Sequence, residues 1–263
     1  MNLEWKARSV VRRLLKSLGI YVVVGQKGPK DYVLVDKFFW EAFFRNDPKI
    51  QLYSKGIDRA GNQWSDNIYK QFRRYSLQNL VEHVQERRLL GDFAECGTWK
   101  GHSAYIIASI LTRYNYDGTL HIFDAFEGGH AQKHEKDRNL RVRQTEKQIE
   151  RELAVFKSSE EEVKDCLKEF QFIKLYKGWI PERFYEVEDR RFSFVHIDVD
   201  LYQAVLDSLT FFYPRMVEEG VIVCDNYGIS QFPGAKKAVD EFLANHQYKM
   251  FYEVPMGSCF IVK

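Results

Sequence analysis

The sequence has little of several features that would place a protein in a specialised class. Its 263 residues include only four cysteines and six prolines. The cysteines are far apart, with no CxxC pair: Cys96, Cys166, Cys224 and Cys259. This spacing indicates neither a disulfide framework nor a zinc knuckle. No run of about 18 apolar residues occurs, so the sequence predicts no transmembrane helix, and we expect a cytoplasmic protein.

An excess of charge of one sign is also lacking. The chain has 39 Lys and Arg against 37 Asp and Glu, for a net charge of +2. This balance excludes a protein whose whole surface binds nucleic acid, and we expect no nucleic-acid partner. Aromatic residues, by contrast, make up 15% of the chain. The length fits one large domain, or one domain with an appended arm.

The first 75 residues have no sheet-like pattern. Apolar positions between Ala7 and Leu18 repeat every three or four residues, which predicts an amphipathic helix with a basic polar face. Such a helix contacts a membrane surface, or it packs on its own domain or across a homo-oligomer. The aromatic residues from Tyr32 to Tyr75 favour a cap over a binding cleft or a subunit interface. We therefore treat residues 1–75 as a separate N-terminal region.

From residue 76 onward, short apolar segments alternate with segments of helical periodicity. Ser76 is a candidate N-cap for the first helix. The predicted strands have the sequences GDFAECG, TLHIFD, FIKLYKG, FSFVHID and GVIVCDN. Alternation of this kind predicts a mostly parallel α/β sheet covered on both faces, with YKMFYEV and SCFIVK as a C-terminal antiparallel hairpin. Ligands of such sheets bind at the carboxyl ends of the strands.

The first two strands end in residues suited to a nucleoside. Gly97 and Gly101 follow the first strand and allow the backbone to approach a ligand closely. Their spacing is not the G-x-G-x-x-G of a nicotinamide dehydrogenase, which argues against that class. Asp124 ends the second strand, where a carboxylate accepts hydrogen bonds from ribose hydroxyls or simply caps a turn.

Acidic and amide groups follow two neighbouring strands. Asp198 and Asp200 end the fourth predicted strand, and Asp225 and Asn226 end the fifth. We expect Asp198, Asp225 and Asn226 to meet in one cleft, because the ends of neighbouring parallel strands share an edge. Two carboxylates and an amide oxygen suit Mg²⁺. Without a metal, their mutual repulsion would favour a general base.

Several segments together resemble the macrocin O-methyltransferase family, which methylates sugar hydroxyls with S-adenosylmethionine. The matching segments are GDFAECGTWKGHSA, HIFDAFEG, YKGWIPERF, FVHIDVDLYQAVLDSLTFFYPRM, GVIVCDNYG and PGAKKAVDEF. They follow the family's order over roughly residues 76–245. Two departures are Asn226, where the family usually has a second Asp, and Lys100-Gly101-His102, where it has Arg-Gly-Gly.

The resemblance implies a Rossmann-like class I methyltransferase with a seven-stranded sheet over residues 76–263. It implies S-adenosylmethionine over the glycine loop, with the adenine near Phe126 and Trp179. The full set of implied cofactor-binding residues is Glu95, Gly97, Thr98, Lys100, Gly101, Ser103, Asp124, Phe126, Gly178 and Trp179. It also implies a divalent cation, usually Mg²⁺, on Asp198, Asp225 and Asn226.

The mechanism that follows is a metal-assisted methyl transfer to a hydroxyl of a sugar or another polyhydroxylated acceptor, with Asp198 as the base. His196 is a second candidate base, although a satisfied core histidine is the simpler interpretation. Residues 129–169 form a charged insertion, either a lid or a solvated segment. The alternatives are a phenolic or catechol-type acceptor and a non-catalytic nucleoside-binding protein of the same fold.

Overall fold

A computed structural model describes residues 47–62, 65–128, 154–229, 232–254 and 256–263. The chain divides into two compact units, residues 1–51 and 52–263. All but five of the described residues therefore belong to the second unit. The predicted N-terminal helix and residues 129–153 of the predicted lid lie outside the described residues.

Six α-helices have both ends among the described residues, and they are numbered in chain order. They are α1 (Pro48–Arg59), α2 (Ile68–Glu86), α3 (His102–Arg113), α4 (Glu160–Leu167), α5 (Tyr202–Phe212) and α6 (Pro233–Leu243). Ser159 and Glu162 form the capping box of α4 that their spacing indicates. None of the described helices is long and apolar enough to cross a membrane.

The strands among the described residues form one seven-stranded sheet. They are β1 (Asp92–Cys96), β2 (Leu120–Asp124), β3 (Ile173–Lys177), β4 (Phe192–Ile197), β5 (Met216–Asp225), β6 (Met250–Val254) and β7 (Ser258–Val262). Their order across the sheet is β3-β2-β1-β4-β5-β7-β6. Strands β1 to β5 pair in parallel, whereas β7 pairs antiparallel with both β5 and β6. The predicted fold class and hairpin are confirmed.

Alternation along the central strands decides which side chains share a face of the sheet. Phe93, Phe194 and Val221 belong to the core under α1 to α4, whereas Phe192 and Ile222 belong to the opposite core. A register irregularity lies between Phe192 and Phe194. Three polar residues each stand two positions after a residue of the core under α1 to α4. They are Glu95 after Phe93, His196 after Phe194 and Asp225 after Val223. The period of two therefore directs these three polar side chains toward the same face.

Helix α2 begins nine residues earlier than the predicted N-cap at Ser76 implies. Asn67 is its N-cap, and Asn67 Oδ1 accepts a hydrogen bond from the Lys70 N–H at 2.9 Å. The helix consequently runs across the predicted division between residues 75 and 76, although that division remains a prediction. Its first two turns place Lys70, Arg73 and Arg74 next to the sheet.

Candidate active site

The glycine loop after β1 adopts a conformation that favours glycine. Gly97 has a φ of 81° and Gly101 a φ of 84°, both in the left-handed region. A Cβ atom on Gly97 would lie 2.3 Å from the Asp198 carbonyl oxygen, a distance at which the two atoms clash. The Asp198 N–H in turn donates to the Cys96 carbonyl at 2.8 Å. The end of β4 is thus packed directly on the loop.

Asp124 is held by backbone donors from two segments. Its Oδ2 accepts hydrogen bonds from the N–H groups of Thr98 at 2.8 Å and Trp99 at 2.9 Å, and its Oδ1 accepts from Phe126 at 2.8 Å. Burial raises the pKa of Asp124, and these three bonds oppose that rise. Asp124 therefore shapes the glycine loop. Its predicted contact with a ribose remains a prediction.

The other predicted cofactor residues lie around this loop and the next strand end. The Gly178 N–H donates to the Asp124 carbonyl at 3.0 Å, and Trp179 Nε1 donates to Glu127 Oε2 at 3.2 Å. Phe126 and Ser103 are buried, and Lys100 is half-buried. The structure brings the ends of β1, β2 and β3 together, whereas the ligand roles of these residues remain predictions.

Glu95 and His196 form a buried pair between neighbouring strands. His196 Nδ1 lies 2.8 Å from Glu95 Oε1, and Nε2 lies 3.5 Å from Asp225 Oδ2. Burial lowers the pKa of His196, but its bonds to Asp225 and Glu95 prevail and raise the value to about 9. His196 is thus completely buried between two carboxylates, which agrees with the simpler interpretation of a satisfied core histidine. Glu95 Oε2 is buried without a hydrogen-bond partner among the described residues.

Arg74 lies between the two carboxylates that the sequence assigns to a metal. Its Nη2 donates to Asp198 Oδ2 at 2.9 Å, and its Nη1 donates to Asp225 Oδ2 at 2.6 Å. The side chains of Arg74 and Asp225 are only 6% and 2% exposed. Burial raises the pKa of Asp225, yet Arg73, Arg74 and His196 hold it well below the usual value.

Asn226 joins the same group of side chains. Its Oδ1 accepts a hydrogen bond from Arg73 Nη1 at 3.0 Å, and its Nδ2 donates to Asp198 Oδ1 at 3.2 Å and to Asp200. Asn226 has a left-handed φ of 67°, which asparagine tolerates better than most residues. The structure therefore brings together Asp198, Asp225 and Asn226 as predicted.

Sequence reasoning missed the basic residues of α2. Lys70, Arg73 and Arg74 stand at i, i+3 and i+4, so they share one face of the helix. Lys70 Nζ donates to Ser65 Oγ at 2.9 Å and lies 5.5 Å from the Trp99 ring centroid. Burial, followed by the charge of Arg74, lowers the pKa of Lys70 to about 7. The sequence signal that could have identified them is three basic residues in the segment that precedes β1, since the ends of β4 and β5 carry acidic residues.

The arrangement defines the class of protein. A sheet of this order, with a glycine loop after β1 and polar groups at the ends of β4 and β5, has the class I methyltransferase fold. The chain belongs to the macrocin O-methyltransferase family, because the family model described as Macrocin-O-methyltransferase (TylF) matches residues 41–254. The protein is accordingly an S-adenosylmethionine-dependent O-methyltransferase.

Two curated relatives show what this chain is similar to. Demethyldecarbamoylnovobiocin O-methyltransferase of Streptomyces niveus is 26% identical over 207 residues, which are 73% of this chain and 74% of the relative. Mycinamicin III 3''-O-methyltransferase of Micromonospora griseorubida is 26% identical over 175 residues, which are 65% and 67% of the two chains. Both names describe transfer of a methyl group to oxygen.

Solved structures support the fold. The O-methyltransferase NovP superposes with a TM-score of 0.66 at 21% identity, over 82% of this chain and 99% of that one. An O-methyltransferase from Bacillus cereus in complex with SAH superposes with a TM-score of 0.52 at 15% identity, over 86% and 99% of the two chains. At these identities the likeness concerns the fold alone.

Proposed function

We propose that this enzyme methylates a hydroxyl group on the sugar of a glycosylated natural product. A further relative, from Streptomyces olivaceus and 25% identical over 158 residues, is named for 4'-O-methylation of a dimethoxyrhamnosyl tetracenomycin, which supports a sugar as the acceptor. The observation that carries the proposal is the packing of Gly97 against the Asp198 carbonyl. This contact puts the candidate base of β4 beside the loop that would bind the methyl donor.

Asp198 is the carboxylate best placed to receive the proton of the acceptor hydroxyl. Its side chain is 21% exposed, whereas that of Asp225 is 2% exposed. Asp198 can therefore reach an acceptor, whereas the buried Asp225 accepts a hydrogen bond from Arg74 and holds that side chain in place. We expect Asp198 to accept the hydroxyl proton as the oxygen forms its bond to the methyl carbon.

S-adenosylmethionine, when bound, supplies a methyl group on a sulfonium, and the carbon–sulfur bond breaks as the oxygen–carbon bond forms. The glycine loop would bind the cofactor with backbone N–H groups at the start of α3. Glu95 Oε2 is buried and accepts no hydrogen bond from the described residues. A cationic part of the cofactor would compensate for the cost of burying this oxygen. Phe126 and Trp179 would contact its adenine, and Lys100, Ser103 and Gly178 would complete the site.

The divalent cation expected from the sequence remains a prediction. Asp198, Asp225 and Asn226 are suitable oxygen ligands in kind. However, an oxygen of each already accepts a hydrogen bond from Arg73 or Arg74. His196 lies close enough to join Asp198 and Asp225 around an ion, but its Nε2 already lies 3.4 Å from Arg74 Nη1. In this arrangement the donor set does not fit a cation, so the proposed mechanism has no step through one.

The test is a product analysis with methyl-labelled S-adenosylmethionine. The purified full chain is incubated with glycosylated natural products, their deoxysugar glycosides and simple catechols, and products are identified by mass and NMR. Label on a sugar oxygen supports the proposal. Label only on a phenolic oxygen of the catechols would instead establish the phenolic alternative, and binding of the nucleoside without transfer to any acceptor would favour a non-catalytic protein.

A further inference from the structure

The group of side chains between α2 and the ends of β4 and β5 is balanced in charge without an added ion. We call these residues the arginine–carboxylate cluster: Arg73, Arg74, Asp198, Asp225 and Asn226. Arg74 bridges both carboxylates, at 2.9 Å and 2.6 Å. Arg73 Nη1 lies 3.6 Å from Asp225 Oδ2. Two guanidinium groups thus face two carboxylates.

A metal ion would have to displace this arrangement. Mg²⁺ demands near-octahedral oxygen ligands at about 2.0–2.1 Å, with several positions left to water or substrate. Arg74 donates to Asp198 Oδ2 with one nitrogen and to Asp225 Oδ2 with another, so its guanidinium occupies the place between the two carboxylates. An ion in that place would leave a buried guanidinium without its carboxylates, which is strongly unfavourable.

We propose that Arg74 takes the place of the divalent cation, so that this enzyme transfers methyl groups without a metal. The inference concerns the acceptor end of the site and rests on the proposed function. A guanidinium stays protonated at any working pH and has five N–H donors in a fixed fork. It therefore supplies the fixed positive charge between Asp198 and Asp225.

Spare donors on the arginines support this role. The Nε atoms of Arg73 and Arg74 are buried without a hydrogen-bond partner among the residues that the structure describes. A buried donor of this kind is costly unless a ligand or water satisfies it. We expect the hydroxyl oxygens of the acceptor to accept these bonds. Arg74 would then orient the acceptor and favour its deprotonated oxygen.

The first experiment uses the unaltered enzyme and needs no acceptor. The full chain is treated with EDTA, dialysed and titrated with Mn²⁺ while free Mn²⁺ is followed by electron paramagnetic resonance. We expect no stoichiometric binding at millimolar Mn²⁺. Stoichiometric binding that Asp225→Asn abolishes would overturn the proposal.

The second experiment tests whether substitution of Arg74 creates a binding site for Mn²⁺. Arg74→Ala opens the space between the carboxylates, and we expect this variant to bind Mn²⁺. Arg87→Ala is the matched control, because Arg87 lies at the end of the same helix and makes an exposed ion pair with Glu219. The control should bind no Mn²⁺. A folded Arg74→Ala enzyme, checked by circular dichroism, that also fails to bind Mn²⁺ would contradict the role of Arg74.

The third experiment measures turnover with the acceptor found by product analysis. EDTA should change the rate of the unaltered enzyme by less than about twofold. Arg74→Ala should lose at least about tenfold in EDTA and regain activity with Mg²⁺. An unaltered enzyme that loses activity in EDTA and recovers it with Mg²⁺ refutes the inference and leaves the proposed function intact. Absence of transfer to every acceptor refutes the proposed function, whereas the Mn²⁺ titrations still decide on Arg74.

Discussion

His196 Nδ1 on β4 lies 2.8 Å from Glu95 Oε1 on β1, and both side chains are completely buried. A histidine in this position is part of an ionic network, because its other ring nitrogen approaches Asp225. The network connects β1, which precedes the glycine loop, to β4 and β5, whose ends carry the arginine–carboxylate cluster. It also has a consequence for the pH dependence of stability.

The pKa of His196 is raised from 6.5 to about 9 in the folded protein. The folded state therefore binds the proton more tightly than the unfolded state. The resulting stabilisation is fully present below about pH 6.5 and is lost as the pH rises through about 9. We expect the thermal stability advantage of the unaltered protein over His196→Gln to shrink between pH 6.5 and 9. His83→Gln, an exposed change on α2, is the control. An advantage that stays constant over this interval would show that His196 is neutral.

Gly97→Ala should abolish cofactor binding and destabilise the protein. A Cβ there would lie 2.3 Å from the Asp198 carbonyl oxygen, in addition to the strain of a left-handed φ. Gly61→Ala is the matched control, because Gly61 has a φ of 57° and no described atom lies within 4 Å of the place its Cβ would occupy. We expect the free energy of unfolding of the control to fall by only about 1–2 kcal/mol, the cost of a left-handed backbone for a residue with a Cβ atom. Chemical denaturation and titration with S-adenosylhomocysteine measure both effects. Equal losses in the two variants would show that the close approach is unimportant.

Asp124→Asn should weaken cofactor binding by about tenfold or more. The amide replaces one carboxylate oxygen with a donor, so it cannot accept all three backbone hydrogen bonds from Thr98, Trp99 and Phe126. Isothermal titration with S-adenosylhomocysteine measures the change. Asp165→Asn, on the exposed side of α4, is the control for loss of one negative charge. Unchanged affinity in Asp124→Asn would mean that the loop keeps its shape without the carboxylate.

Asp198→Asn should lower kcat by about 10²–10⁴-fold while leaving cofactor affinity nearly unchanged. The variant keeps the size of the side chain and removes the group that accepts the hydroxyl proton. Steady-state kinetics and cofactor titration separate the two effects. Asp189 lies in the exposed turn before β4, and Asp189→Asn serves as the control. A kcat within about twofold of the unaltered enzyme would exclude Asp198 as the base.

The sheet and the polar strand ends can be predicted from the sequence. Each of β1 to β5 contains a short, mostly apolar segment with a glycine or an acidic residue at or just after the end of the strand, and these patterns are local. Local signals also locate Asp198, Asp225 and Asn226, because parallel strand ends meet at one edge. The positions of these side chains can thus be inferred without knowledge of the packing.

The partners of these side chains cannot be inferred in the same way. Arg74 and Asp225 are 151 residues apart in the chain, and their contact depends on how α2 packs on the sheet. The predicted start of α2 is too late because Ser76 is a good capping residue in type, whereas Asn67 is the cap in fact. A helix that began at residue 76 would leave Lys70, Arg73 and Arg74 outside it. The error in the helix start therefore conceals the cluster.

Strand β7 has a consequence for the order in which the site can form. It lies between β5 and β6, and its first residue, Ser258, pairs with Asp225. The Gly257 carbonyl just before it accepts the Asn226 N–H at 2.8 Å. Since β7 follows every other described strand in the chain, the ribosome has already synthesised β1 to β5 before this support exists. Asp225 and Asn226 can therefore gain these backbone contacts only after the last described strand has been synthesised.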